Sequence, residues 1–427
     1  MMYFFCGLVV TTILILSLGQ LAFALTYANL FGRSSRNYHP GVDLNGYYPK
    51  AAVLTSLRGA DPGLEENLRA VLDLDYPDYS FHIIVDSELD SAWEVASRVR
   101  DLEPKRVRLT ALKRTLSTCS LKCSALAEVV EQLDNDVEVV AILDGDVSPH
   151  KSWLRELVQP LQDPRIGVTT GNRWYTPSCN TWGSLVRYFW NVGAVVQVWL
   201  NGITWGGSMA LKRDVIKRTQ LIEAWRRSLV DDGAVVRIMK QHQLRVSFVP
   251  SVMVPNAEDI RLSNFIPWSE RQMIAAKSAG SGWPVVFLHA FVIAACVILP
   301  VVIVILGVLY EDIGTAALGI LGIVAYWVCA VFSSVAVETG VRRSLLANHC
   351  STQWIDLRAC LMYVPALVLS HLVYWRVLWG ACRRTRLSWR GIDYRLLGLH
   401  DVEMVAYRPY PPTAEFRNSR SSIESVI

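Results

Sequence analysis

The sequence predicts an α/β protein, with a doubly wound, mostly parallel sheet placed between apolar helices near the two ends of the chain. Strand and helix patterns alternate through the first half of the central region, as they do where parallel strands are joined by crossover helices. Long runs without charge lie at the N-terminus and in the last third, each long enough to span ~30 Å of hydrocarbon. The composition agrees, because 52% of the 427 residues are hydrophobic and only 19% are charged.

Composition also excludes several classes of protein. A chain this apolar is neither intrinsically disordered nor a coiled coil. The net charge of +4 is small and no basic stripe with interleaved aromatic residues is present, so no nucleic-acid partner is expected. The nine cysteines are an odd number in a long chain and are not a disulfide framework, which indicates reduced thiols and a main domain that faces the cytosol.

The N-terminal apolar run, residues 1–32, is predicted to be a permanent transmembrane anchor. Its basic residues, Arg33 and Arg36, follow the apolar stretch, whereas a cleaved signal peptide carries them first. Because basic residues favour the cytosolic side of a membrane, we expect the domain that follows, residues 48–283, to be cytosolic.

Residues 285–380 are predicted to form a C-terminal membrane region, followed by a polar, basic tail at 381–427. The runs at 285–309 and 313–337 predict two spans joined by a short acidic break, with arginines on the cytosolic side. A further run at 357–380 contains a proline, a histidine and an arginine. Two alternatives stay open for it: a full crossing, which would place the arginines that follow outside, or a re-entrant or interfacial segment.

The central region divides into alternating elements. Strands are predicted at 51–57, 81–85, 107–112, 137–143 and 166–170, and helices at 64–72, 91–99, 121–133 and 152–161. No glycine-rich dinucleotide fingerprint follows the first strand. Ligands of such sheets bind beyond the carboxyl ends of the strands, and two acidic clusters fall at those ends.

Asp144 and Asp146, in the segment LDGDV, are the predicted metal ligands. Two carboxylates placed at this spacing after a buried strand can both face one hard cation, Mg²⁺ or Mn²⁺, whose other positions a diphosphate fills. The cation would neutralise the charge that develops on a departing nucleoside diphosphate. The alternative is a surface turn, which Asp and Gly favour on their own.

Asp86 and Asp90, in IIVDSELD, are candidates to bind the donor nucleotide by accepting hydrogen bonds from a base or ribose. Asp90 is also a good cap for the helix that follows, and the two roles are compatible. Lys122 opens the helix after the third strand and can hold a phosphate as a point charge. The alternative for Lys122 is a solvated surface lysine.

Asp231 and Asp232, in LVDDGAVV, are candidates for a general base. A base that deprotonates a hydroxyl must lie near the reacting carbon in a site that excludes water, and this pair lies in an apolar stretch. The alternative is an acidic pair that starts a helix, a position that the helix dipole favours.

Two further segments are candidates for contact with an acceptor. Gly206 and Gly207, beside Trp205 and Ser208, either allow close backbone approach to a sugar or lipid head group or form a tight turn. Residues 182–201 are rich in aromatic side chains, which fits an interfacial helix at the level of the lipid head groups. A buried core helix is the alternative.

The ordered set of motifs resembles the membrane-bound family 2 glycosyltransferases, most closely the ceramide glucosyltransferase group and its bacterial relatives that act on hopanoids. The resemblance is carried by RGADPGLEENL, YPDYSFHIIVDSELDSAW, LDGDV, WGGSMALKRD and VDDG, and it extends over nearly the whole chain. It implies a GT-A-like fold and inverting transfer of a sugar from a nucleoside diphospho-sugar, UDP-glucose or UDP-N-acetylglucosamine. The acceptor it implies is a hydroxyl of a membrane lipid such as a sphingolipid or hopanoid, and the location a bacterial inner membrane.

The same resemblance implies a role for each candidate residue. Asp232 matches the second acid of the family's pair and is the expected base, with Asp231 as its rival. The donor and metal residues that it implies are Asp86 or Asp90, Lys122, Asp144 and Asp146.

One departure from the family pattern concerns the end of the catalytic domain, where the family has Gln-x-x-Arg-Trp. Gln272 fits this pattern, but Ala275 and Ala276 stand where Arg and Trp are expected. Arg271 or Lys277 would then supply the positive charge from a neighbouring position, for contact with the acceptor or with the diphosphate, and we assign Arg271 and Gln272 to the acceptor side. This departure keeps a catalytically degenerate scaffold open as an alternative, beside a processive polysaccharide synthase, for which three or four spans are few.

Overall fold

A seven-stranded sheet forms the centre of the molecule in the computed structural model, which describes residues 2–37, 46–280, 282–350, 357–398, 400–408 and 410. Its strands are β1 (Ala51–Leu57), β2 (Tyr79–Val85), β3 (Val107–Ala111), β4 (Val139–Leu143), β5 (Ile166–Tyr175), β6 (Ser208–Lys212) and β7 (Arg245–Asn256). The spatial order is β3-β2-β1-β4-β6-β5-β7, and only β6 runs antiparallel to its neighbours. The predicted doubly wound, mostly parallel sheet is therefore confirmed, and β6 and β7 are additions to the five predicted strands.

Helices cover both faces of this sheet. They are α2 (Leu64–Leu72), α3 (Ser91–Leu102), α4 (Leu121–Gln132), α5 (Trp153–Val158), α6 (Trp182–Leu200), α7 (Arg213–Arg218), α8 (Leu221–Trp225) and α9 (Asp231–Gln241). A further helix, α10 (Leu262–Ala279), packs on α6 and α9. Alternate residues of each central strand enter opposite cores, as in β1, where Val53 packs on one side and Leu54 on the other. Burial on both faces explains why these strands are apolar along their whole length.

Four helices within the described residues are long and apolar enough to cross a membrane. They belong to α1 (Met2–Asn37), α11 (Trp283–Leu309), α12 (Ile313–Ala347) and α13 (Leu357–Arg383). Small residues let them approach closely: a methyl group at Gly340 of α12 would lie 2.8 Å from the Cα of Ala28 in α1. Their outward faces carry exposed apolar side chains such as Phe4 and Ile305.

Helix α13 packs on α6 and α10 of the domain built around the seven-stranded sheet. Near its start, the Tyr363 hydroxyl lies 2.7 Å from that of Tyr188 in α6. At its end, Lys277 of α10 donates to the carbonyl oxygens of Ala381 and Cys382, at 3.2 and 3.0 Å. Helix α6 has a largely buried first half, as the core alternative predicts, and its second half faces a cavity.

A second, three-stranded antiparallel sheet follows α13, in the segment for which the sequence predicts only a polar, basic tail. Its strands are β8 (Arg386–Trp389), β9 (Ile392–Gly398) and β10 (Asp401–Tyr407). The sheet packs on the domain of the seven-stranded sheet, where the backbone N–H of Leu121 donates to the Tyr394 hydroxyl at 3.3 Å. The last part of the predicted tail, 411–427, lies outside the described residues.

Candidate active site

A continuous cavity of about 1120 Å³ connects the carboxyl ends of the central strands with the apolar helices. Its sheet end is lined by Arg58, Asp86, Lys122, Asp144, Asp146, Arg173, Trp205, Asp231, Asp232 and Arg390. Its other end is lined by side chains of α6, α11, α12 and α13, among them Val195, Val286, Ile293, Ala330, Val337 and Leu367. The candidate residues of four separate motifs therefore share one space with a largely apolar extension.

Lys122 lies at the centre of the sheet end. Its Nζ is 2.7 Å from Asp144 Oδ1 and 3.3 Å from Asp231 Oδ1, and it donates to the carbonyl oxygen of Gly206 at 3.0 Å. Burial acts to lower the pKa of Lys122, but the two carboxylates outweigh this effect and raise it, so the side chain stays charged. Lys122 is therefore a fixed cation of the site, and the solvated-lysine alternative does not hold.

The two carboxylates that follow β4 are held by different cations. Burial acts to raise the pKa of Asp144, but Lys122 and Arg173 hold it below its usual range. Asp146 accepts from Arg173 Nη2 at 2.7 Å, and the Arg173 guanidinium lies 5.0 Å from the centre of the Trp205 ring. Arg173 was not predicted, because it occurs in β5 without any motif of its own.

Asp144 and Asp146 fit a divalent cation by the type and placement of their donor atoms. Both carry hard oxygens on one turn, and their side chains retain 31% and 42% exposure. A methyl group at Gly207 would lie 2.8 Å from Asp144 Oδ2, so glycine leaves this oxygen accessible. No group of three or more acidic, His or Cys side chains able to hold a metal occurs among the described residues, so diphosphate and water would have to complete the coordination.

Asp86 and Asp90 separate into different roles. Asp86 is 8% exposed and is bonded by Arg58 Nη1 and by the Tyr407 hydroxyl, the latter at 2.9 Å, while its Oδ1 is buried without a hydrogen-bond partner. Asp90 caps α3 by accepting from the backbone N–H of Ala92, and it also accepts from that of Gly59. Of the two, only Asp86 lines the cavity and has an oxygen to offer a ligand.

Asp231 and Asp232 begin α9, yet their surroundings differ. Asp231 is buried and its Oδ1 faces Lys122. Asp232 accepts from the backbone N–H groups of Gly206 at 3.1 Å and Gly233 at 2.7 Å, which are its only donors within the described part of the chain. Burial, followed by the charge of Asp231, raises the pKa of Asp232 to about 7. Burial also raises the pKa of Asp231, against the opposing effect of Lys122.

The segment from Trp205 to Ser208 divides between the cavity and the core. A methyl group at Gly206 would lie 2.5 Å from Asp231 Oδ2, so the backbone here must pass close to the acidic pair. Trp205, Gly206 and Gly207 line the cavity. Ser208, predicted on the acceptor side with them, is instead the fully buried first residue of β6, and its Oγ accepts from Trp153 Nε1 at 2.9 Å.

The residues at and beside the Gln-x-x-Arg-Trp positions lie in α10. Arg271, Gln272, Ala275 and Ala276 all line the cavity. Lys277 instead points to the last turn of α13, where it donates to backbone carbonyl oxygens. Of the two cations proposed to replace the missing arginine, only Arg271 reaches the site.

Comparison with known proteins supplies a family. A model of glycosyl transferase family 21 matches residues 9–398, and this is the ceramide glucosyltransferase family. No curated protein matches the sequence significantly. Among solved structures, a mannosyltransferase from Pyrobaculum calidifontis in complex with GDP-Man and Mn²⁺ is 18% identical, with a TM-score of 0.45, covering 86% of this chain and 99% of that one. Glucosyl-3-phosphoglycerate synthase from Mycobacterium tuberculosis, with phosphoglyceric acid, is 15% identical, with a TM-score of 0.38, covering 57% of this chain and 85% of that one.

Proposed function

The chain belongs to glycosyl transferase family 21, and on this premise we propose that it moves a sugar from a nucleoside diphospho-sugar to a hydroxyl of a membrane lipid, with inversion at the anomeric carbon. The observation that carries the lipid acceptor is the cavity, because one space joins the acidic residues at the sheet edge to helices apolar enough to lie in a bilayer. A lipid whose chains lie among α11, α12 and α13 would bring its head group to Asp232.

The donor occupies the sheet end in this proposal. The unpartnered Oδ1 of Asp86 can accept a hydrogen bond from the base, which would remove the cost of burying this oxygen unsatisfied. Lys122 and Arg173 supply fixed positive charge toward the diphosphate. When bound by Asp144 and Asp146, Mg²⁺ or Mn²⁺ would add neutralisation of the leaving group. UDP-glucose and UDP-N-acetylglucosamine are the donors we favour, from the family resemblance.

Asp232 is the base in this proposal. As the lipid oxygen forms its bond to the anomeric carbon, its proton passes to the Asp232 carboxylate, and the bond between that carbon and the diphosphate oxygen breaks. A pKa of about 7 places Asp232 near neutral pH, where a base is both ionised and able to hold the proton. Asp144 and Asp231 are paired with Lys122 and are less available for this role.

Sugar transfer to lipid is tested with membranes that contain the protein, a panel of tritiated nucleotide sugars, and lipid extraction. Radioactivity is expected in the organic phase, whereas its appearance only in free sugar or in a water-soluble polymer would contradict the proposal. Ala330→Trp should fill the lipid end of the cavity and reduce transfer while nucleoside diphosphate binding persists. Its matched control on the same helix is Val328→Trp, because Val328 is 47% exposed and should tolerate the change.

We place α1, α11 and α12 across the membrane, with the catalytic domain in the cytosol and α13 in the interface beside it. The packing of α13 along α6 and α10 supports this, because a full crossing would put β8 on the side of the membrane opposite the domain against which its sheet packs. Cys179 is exposed on the catalytic domain and tests the orientation. An impermeant maleimide should label it only after cells are permeabilised. Cys179→Ser identifies the part of the labelling that belongs to Cys179, since Cys329, Cys350 and Cys382 are also partly exposed. Labelling of Cys179 in intact cells would contradict the orientation.

A further inference from the structure

The turn between β8 and β9 brings an arginine into the sheet end of the cavity. Trp389 pairs with Ile392, and the two residues between them, Arg390 and Gly391, both have positive φ, 47° and 77°. Glycine and asparagine are the usual residues in such a turn, since other side chains are strained there. The turn itself would favour glycine or asparagine at this position, so the arginine side chain is expected to have a function of its own.

Arg390 forms hydrogen bonds with residues that line the sheet end of the cavity. Its Nη2 lies 2.5 Å from Asp61 Oδ2 and its Nη1 donates to the carbonyl oxygen of Arg58. Arg58 Nε returns a hydrogen bond to the Arg390 carbonyl oxygen at 2.8 Å, and Arg58 also binds Asp86. The chain that follows β10 approaches the same loop, because a methyl group at Gly59 would lie 2.5 Å from the Tyr410 ring. The sheet of β8–β10 thus forms one wall of the cavity at its sheet end.

Arg390 and Arg271 bring like charges to one cavity. Burial, followed by the positive charge of Arg390, lowers the pKa of Arg271. Among the residues that the structure describes, no ion pair or hydrogen bond of the Arg271 side chain occurs. An anion bound between the two guanidinium groups would relieve their repulsion. The diphosphate of the donor is the anion that the proposed reaction brings to this place.

We propose that Arg390 binds the diphosphate of the donor, so that the β8–β9 hairpin is a working part of the transferase site. This inference rests on the proposed function. A guanidinium carries five N–H donors, so the bonds of Arg390 to Asp61 and to the Arg58 carbonyl oxygen leave three that can reach phosphate oxygens. Arg390 would supply, from a later segment of the chain, the positive charge that Ala275 and Ala276 of α10 do not.

Nucleotide binding to the full-length, detergent-solubilised protein tests the inference. UDP and GDP are titrated by calorimetry, and whichever binds the wild type is compared with its own monophosphate. Arg390→Ala should weaken diphosphate binding roughly 10- to 100-fold, the loss expected for hydrogen bonds to a charged group, and change monophosphate binding much less. Arg390→Lys keeps the charge without the planar fork and should lose an intermediate amount.

The matched control is Arg395→Ala on the same sheet. Arg395 forms an exposed ion pair with Glu403 and does not line the cavity, so this variant should bind both nucleotides as the wild type does. The inference is overturned if Arg390→Ala keeps full diphosphate affinity, or if it loses both nucleotides equally, as a purely structural hairpin would. A wild type that binds neither diphosphate would instead refute the proposed function.

Discussion

Asp144, at the end of β4, and Asp232, at the start of α9, line the same cavity, yet their pKa values shift in opposite directions. Asp144 faces Lys122 and Arg173, whose positive charges hold its pKa below the usual range against the effect of burial. Asp232 forms no ion pair with any residue that the structure describes, and burial together with the neighbouring Asp231 raises its pKa to about 7. Both side chains are aspartates, so the difference comes from their neighbours alone.

This difference separates two kinds of chemistry. A carboxylate that stays ionised suits a metal ion and diphosphate, and one that can exchange a proton near neutral pH suits general base catalysis. Lys122 causes much of the difference, because its Nζ contacts Asp144 and Asp231 but forms no hydrogen bond with Asp232. This difference can be tested by changing Asp144 and Asp146, or Asp231 and Asp232, or the lysine between them.

Among single substitutions, removing the base should cause the largest loss of transfer. Asp232→Asn is expected to slow sugar transfer ~100- to 10,000-fold, the range typical of general base catalysis, while nucleoside diphosphate binding measured by calorimetry stays near wild type. Asp231→Asn is the matched control at the adjacent position and should lose less. Normal transfer by Asp232→Asn together with a slow Asp231→Asn would move the assignment by one residue. If neither change slows transfer, the base lies elsewhere.

Removal of the metal tests the roles of Asp144 and Asp146. Exhaustive chelation should abolish transfer, and Mn²⁺ or Mg²⁺ should restore it, because two carboxylates and a diphosphate need a cation between them. Asp146→Asn removes one proposed ligand and should raise the Mn²⁺ concentration that gives half-maximal rate. Full activity in the chelated protein would show that Lys122 and Arg173 alone neutralise the leaving group.

Lys122→Met removes the cation between the pairs and keeps most of the side-chain volume. Nucleoside diphosphate affinity should fall about 10- to 100-fold, the loss of one charge-assisted contact. Lys217, exposed on α7, provides the control variant Lys217→Met, which should behave as wild type. Calorimetry with both variants gives the comparison, and equal affinities would remove Lys122 from the donor site.

The pH profile of turnover should show the smallest but most specific effect. The base acts when ionised, so the rate should rise with pH through about 7, the pKa of Asp232, and fall about tenfold per unit below it. In Asp231→Asn the neighbouring negative charge is absent, the pKa of Asp232 falls, and the rising limb should move to lower pH. A limb that stays in place, or moves to higher pH, would contradict the coupling of these two residues.

The site as a whole combines residues that sequence patterns reveal with residues that they do not. Asp144, Asp146, Asp231 and Asp232 stand in short acidic motifs beside apolar runs, so they can be found without a structure. The cations Arg173 and Arg390 occur singly in ordinary strand or turn sequence. Arg58 opens the segment RGADPGLEENL, but nothing in that segment assigns the arginine a role. The pairing of these arginines with particular carboxylates depends on which strands are neighbours, and a single sequence carries no record of that.

The local pattern by itself determined the alternating strands and helices, the long apolar helices and the acidic strand ends, because periodicity and strand-end position are properties of neighbouring residues. Tertiary packing decided the rest. It buried Ser208 in the core, turned Lys277 toward α13, and brought the sheet of β8–β10 against the sheet end of the cavity. These outcomes depend on contacts between segments far apart in the chain. For the same reason the pKa of Asp144 lies below its usual range, whereas the pKa of Asp232 is about 7.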